Sequence, residues 1–178
     1  MKATRLLLAA MVLGTAAGAS QANAQCSSGL GSCNTTNTAS VTVGVLVKLG
    51  MTTTATALTA PSVTDIESAL SLDNTGPVFT VKANRSWNLK IKSFNGTNFD
   101  YTGSDSGVKP ISDLSWAISS GGSYSPITAS DVSIASGASS NSTTVNSFFR
   151  TSWAGGFSAA SNAPGLYSLP IVFTLTAP

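Results

Sequence analysis

From residue 39 onward, apolar and polar positions alternate with period two: Val41, Val43, Val45, Val47 and Leu49 fall on one face, Thr42, Gly44, Leu46 and Lys48 on the other. Successive side chains of a strand point to opposite faces, so the pattern predicts a first β-strand over residues 39–49. Residues 51–60, dense in Thr and Ala, predict a second strand that Pro61 closes. Residues 63–72 alone carry helical spacing. There Val63, Ile66 and Leu70 approximate an apolar stripe, and Asp65 and Glu67 suit the positive end of a helix dipole, so a short helix and a loop both satisfy the segment.

The strongest alternation runs over residues 78–94, where Phe79, Val81, Ala83, Trp87, Leu89 and Ile91 interleave with Thr80, Lys82, Asn84, Ser86, Asn88, Lys90 and Lys92. This predicts a long half-buried strand. Arg85 falls on the apolar side, which predicts either a bulge near residues 83–85 or a split into two strands there. Asn95-Gly96 is a favoured hairpin dipeptide, which predicts either residues 98–102 as the returning strand or, since the facing register mixes polar and apolar partners, a longer loop. Further strands are predicted over residues 114–119, 132–135, 143–153 and 169–175, separated by Gly/Ser/Asn-rich stretches. The fold class that follows is all-β, a single antiparallel Ig-like β-sandwich of about seven to nine strands, with a closed barrel as the structural alternative.

The N-terminus precedes this pattern with a different one. Lys2 and Arg5 open it, an apolar run spans residues 6–17, and Ala22-Asn23-Ala24 has the small-x-small form of a signal-peptidase site. The expected organisation is a cleaved signal peptide over 1–24, a flexible arm over 25–38 and a sandwich domain over 39–178. The apolar run is shorter than the roughly 20 residues a bilayer span needs, so the exported chain is expected to have no membrane span.

Export changes both charge and redox context. Removing Lys2 and Arg5 leaves seven basic residues against seven acids, a net charge of zero. Clustered cations are what nucleic-acid binding needs, so no nucleic-acid partner is expected, and near-zero charge favours self-association. Cys26 and Cys33 are the only cysteines; in an oxidising compartment they predict a disulfide that closes the arm.

Composition excludes most catalysis. The chain holds 29 Ser and 22 Thr, only 9% charged residues and no His. Without His there is no Ser-His-Asp or Cys-His nucleophile system and no imidazole metal site, so no enzyme, no catalytic residues, no cofactor and no metal are expected. A carboxylate pair drawn from the seven acids is the residual enzymatic alternative, although most of these acids sit at predicted turns. Asp100 and Asp105, crowded with Asn98 and Ser104, offer oxygen ligands for a calcium ion but match no EF-hand spacing. Lys82, Lys90 and Lys92 share the polar face of one predicted strand and would suit either an acidic polymer or solvent. Of the aromatics, Trp87 and Trp116 fall on apolar faces and are expected in the core, whereas Tyr124, in a Gly-Gly-Ser-Tyr-Ser-Pro turn, and Trp153 are candidates for an exposed sugar-stacking face.

The signal-like start, the Ser/Thr-rich strands, the alternating first strand, and Pro164-Gly165-Leu166-Tyr167 followed by Ile171-Val172-Phe173-Thr174-Leu175 resemble bacterial secreted fimbrial-type and spore-coat-U-like sandwich proteins. The resemblance implies a structural subunit in which a terminal alternating strand completes a neighbour's sheet. Residues 41–49 would be the donated strand and residues 169–175 the edge that receives it. The chain departs from chaperone-usher pilins in lacking a penultimate aromatic, since it ends Ala177-Pro178. The expected function is therefore a non-enzymatic secreted bacterial surface protein, structural or adhesive, assembling with itself by strand exchange. The alternative is a monomeric extracellular module that binds a surface polysaccharide.

Overall fold

A computed structural model describes residues 38–178 of the chain; the predicted signal peptide and the predicted Cys26–Cys33 disulfide lie outside the described residues. The residues from Val43 to Pro178 form one compact unit. The fold is all-β and sandwich-like, as the alternation predicts, with every strand pair antiparallel.

Twelve short strands are present among the described residues, more than the seven to nine expected. They are β1 (Val47–Met51), β2 (Ser71–Thr75), β3 (Phe79–Ala83), β4 (Trp87–Ser93), β5 (Asp100–Thr102) and β6 (Leu114–Ala117). β7 (Ser125–Pro126), β8 (Val132–Gly137), β9 (Ser140–Val145), β10 (Phe148–Ser152), β11 (Leu166–Ser168) and β12 (Ile171–Thr176) complete the set. The hydrogen-bonded orders are β1-β3-β9, β12-β4-β8, β2-β10-β6-β7 and the pair β11-β5.

The excess comes from splitting. The predicted strand over 78–94 breaks at Asn84 and Arg85, and its halves join different sheets, β3 beside β1 and β9, β4 between β12 and β8. Arg85 marks the corner: a charged side chain at an inward position ends the strand rather than enter the core. The predicted strand over 143–153 divides in the same way into β9 and β10, which also belong to different sheets. Both halves of β3–β4 keep their alternation, with Phe79, Val81, Ala83, Trp87, Leu89, Ile91 and Ser93 all buried.

Other expectations need correction. Residues 51–60 form no second strand beyond the end of β1 at Met51. Of residues 98–102 only Asp100–Thr102 form a strand, β5, and it pairs with β11 and not with β4, so Asn95-Gly96 closes no two-strand hairpin. The helical spacing yields one short helix, α1 (Val63–Glu67), capped by Ser62 and Asp65 in a reciprocal capping box. None of its residues is fully buried; of the apolar stripe, Val63 and Leu70 are exposed and Ile66 is half-buried. Its C-terminus closes as a Schellman motif, with Leu70 N–H on the Asp65 carbonyl, Ala69 N–H on the Ile66 carbonyl, and Ala69 in the left-handed region at φ 49°.

The core gathers Phe79, Val81, Leu89, Ile91, Leu114 and Phe149 from three of the sheets, with Ile127 from the loop that follows β7. Phe79 of β3 and Phe173 of β12 meet with ring centroids 4.5 Å apart, a contact between two sheets. Trp87 faces Gly137 across the β4–β8 ladder, and a Cβ at that glycine would sit 2.8 Å from the indole ring. The glycine makes room for the tryptophan.

Candidate functional site

Two features of the described residues are unfinished. The first is the segment that enters β1. Residues 39–46 belong to no strand, although their alternation continues that of β1 without a break. The predicted first strand therefore pairs only from Val47 onward. Val41, Val43 and Val45 are 88%, 70% and 52% exposed, so the apolar face that the pattern builds is uncovered.

The second is the side of the sandwich bounded by β12. In the β12–β4 register Phe173 lies opposite Ile91 and Leu175 opposite Leu89, so these side chains share the inward face. Leu89 and Ile91 are fully buried, yet all six residues of β12 remain half-exposed. A strand with one face on a closed core alternates in exposure, as β3 and β4 do. Strand β12 does not: its residues stay partly exposed on both faces, although Phe173 packs against Phe79. It is hydrogen-bonded on one edge only, to β4, and β1 likewise on one edge only, to β3; the two strands adjoin with no ladder between them among the described residues. Beside them lies an apolar cavity of about 670 Å³ whose lining includes Leu58, Phe99, Leu114, Phe149, Ile171 and Phe173. Such an edge beside apolar groups can accept an extended strand through main-chain hydrogen bonds, with alternate side chains entering the cavity.

No protein-family model and no curated protein matches the chain. A solved structure of a chaperone-usher pilus is similar to it at a TM-score of 0.47 and 10% sequence identity, over 86% of this chain and 100% of that one. No described helix is long and apolar enough to cross a membrane.

The remaining predicted site residues are placed as follows. Trp87 is buried and Trp116 packs against the core, as expected. Trp153, a candidate for an exposed sugar face, is instead buried beneath a lysine. Tyr124 is half-buried and its ring is covered by the Arg150 guanidinium, 3.9 Å from the centroid, so no bare aromatic platform is assembled from these two residues. Lys82 lies on the sheet of β3, Lys90 and Lys92 on that of β4; the corner at Arg85 separates them, and Lys92 pairs with Asp131 at 3.5 Å. Asp100 accepts a hydrogen bond from the Asn95 amide, and no three His, Cys, Asp or Glu side chains converge among the described residues.

Arg150 also holds Asp73 in a two-pronged ion pair across the β10–β2 ladder, with N···O distances of 2.5 and 2.9 Å. These hydrogen bonds hold the Asp73 carboxyl below its ordinary value of 3.8. The folded state thus keeps this charge to lower pH than the unfolded chain does. The pair's contribution is complete above 3.8 and is lost as pH falls through the lower folded value. Thermal melts of wild type and Asp73→Asn between pH 2 and 7 should differ most at neutral pH and converge in acid; a constant difference would contradict the pairing.

One buried group was missed altogether. Lys109 is 1% exposed, donates from Nζ to Asp113 Oδ2 at 3.1 Å and to the Ser152 carbonyl at 2.7 Å, and lies 4.1 Å from the centre of a Trp153 ring. Burial pulls its ammonium below the ordinary value, while the Asp113 carboxylate works in the opposite sense. In the sequence it is only a lysine before Pro110, and nothing local announces a buried cation.

Proposed function

We propose that the chain is a non-enzymatic, secreted surface protein, a structural or adhesive subunit that joins its copies by strand donation. In this reading residues 1–24 direct export, residues 25–38 form an arm closed by Cys26 and Cys33, and residues 39–178 form the sandwich. The observation that carries it is β12, half-exposed on both faces beside an apolar cavity and hydrogen-bonded on one edge only. The same chain supplies a matching piece, a segment outside the strand ladders with Val41, Val43 and Val45 in the open. Placed along β12 of a second copy, it would bury those side chains at a gain of about 1.5 kcal/mol each and satisfy backbone groups on both partners. The donated portion is smaller than residues 41–49, because Val47, Lys48 and Leu49 are already paired within β1.

The test is light scattering coupled to size exclusion on the chain from Gln25 onward, beside a variant carrying Val41→Asp, Val43→Asp and Val45→Asp. The wild type should form oligomers or fibres, and the variant should stay monomeric with its melting temperature nearly unchanged, since exposed substitutions alter stability by only about 0.5 kcal/mol or less each. A wild type that remains monomeric at every concentration, or a variant that assembles equally well, removes strand donation by this segment.

A further inference from the structure

Where β1 begins, a side chain takes over the ladder. Continuing the β1–β3 register one step beyond Val47 and Ala83 brings Leu46 opposite Asn84. The backbone N–H of Asn84 donates to the Leu46 carbonyl at 3.1 Å, as an antiparallel pair requires. The chain bends at Asn84 and Arg85, however, and the reciprocal bond goes to the side chain: Leu46 N–H donates to Asn84 Oδ1 at 2.9 Å. The other end of the same amide, Nδ2, donates to the Gly44 carbonyl at 2.8 Å. One residue thus fixes residues 44–46 by three hydrogen bonds. The side chains of the segment add little anchorage there, since Val45 and Leu46 are 52% and 63% exposed and nothing lies within 4 Å of where a Gly44 Cβ would be.

We propose that Asn84 is a releasable clasp, a positioning residue that sets how much of the donated segment is free. Closed, it leaves Val41 and Val43 ahead of the clasp and holds Val45 and Leu46 beside β3. Open, it frees all four apolar side chains for a neighbour. Because the clasp consists of hydrogen bonds on exposed groups, which exchange with water at small net cost, it opens without unfolding the sheet behind it. This inference rests on the strand-donation reading; the clasp itself can be tested separately.

The experiment compares wild type, Asn84→Ala and Asn84→Asp, each from Gln25 onward, by residue-resolved amide hydrogen exchange at low concentration and by light scattering at high concentration. In Asn84→Ala the Leu46 amide should exchange about tenfold faster, the equivalent of one or two lost hydrogen bonds. The Lys48 and Gly50 amides, deeper in the β1–β3 ladder, should keep their protection and report that the domain remains folded. Asn84→Asp retains the acceptor for Leu46 N–H but loses the donor to Gly44, so Leu46 should stay protected. Assembly of Asn84→Ala should be faster than wild type, by up to about tenfold if opening limits the rate. A wild-type Leu46 amide that exchanges as fast as that of Val43 overturns the clasp. Faster exchange with unaltered assembly overturns its control of the segment. Absence of assembly in all three chains removes the functional reading and this control with it, while the exchange data still decide whether the clasp forms.

Discussion

Phe79→Ala lowers the stability of the domain by about 3–5 kcal/mol, the range for deleting a fully buried phenylalanine ring. Phe79 has no exposed surface, and its strand runs between two others, with Met51 of β1 on one side and Val145 of β9 on the other. Its ring meets Phe173 of β12, tilted at 49°. The substitution therefore loses apolar burial, opens a void that a ladder on both sides keeps from collapsing, and removes an aromatic pair between two sheets. Urea denaturation should give a lower midpoint with an unchanged slope, and the thermal midpoint should fall by roughly 10–20 °C for a domain of this size. Phe79→Leu, which refills much of the volume, should recover more than half of the loss. A loss below about 1 kcal/mol for the alanine variant would mean that the ring is not enclosed as described.

The alternation that buries Phe79, Val81, Leu89 and Ile91 was legible because burial imposes period two on any strand with one face on a core. The corner at Arg85 was legible too, as a break in that period. Partners were not. Strand β4 pairs with β8 and β12, between forty and ninety residues away in sequence, and local alternation carries no record of which strand lies alongside. Strand β2, Ser-Leu-Asp-Asn-Thr, escaped notice because as an edge strand it half-buries only Leu72 and Asn74 and has almost no apolar face to display. Residues 51–60 erred in the other direction, since Thr and Ala suit an extended chain whether or not a ladder forms. For the candidate site the alternation of residues 39–49 was plain, but a strand that packs at home and one offered to a neighbour follow the same pattern. The exposure of Val41, Val43 and Val45 is a property of the folded chain that the alternation does not record. Tyr124 was placed in a turn, but the cation that covers its ring comes from Arg150, a contact made through the fold.

Lys109 carries the second large effect. Lys109→Ala should cost about 3 kcal/mol, at the lower end for removing one partner of a buried ion pair because Asp113 keeps some contact with water. The variant leaves the Ser152 carbonyl without its donor, Asp113 without its cation, and a void against the Trp153 ring where the aliphatic stem lay. Lys109→Met restores the stem and not the charge, so it should cost less than alanine, about 1–2 kcal/mol for the lost hydrogen bonds. The pH dependence distinguishes charge from packing. The folded pKa of Lys109 is depressed, so between that value and 10.5 the unfolded chain binds more protons than the folded one, and this group's contribution to stability rises with pH. Tyr124 and Tyr167, whose hydroxyls are raised chiefly by burial, act in the opposite sense, but they do so in wild type and variant alike. Subtracting the Lys109→Met curve from that of wild type cancels the tyrosines and should leave a difference that grows in favour of wild type as pH increases through the alkaline range. A flat difference would assign Lys109 to packing alone, with its charge unperturbed by the site; a difference that shrinks would place the ammonium in a setting that favours its charge, against the burial described.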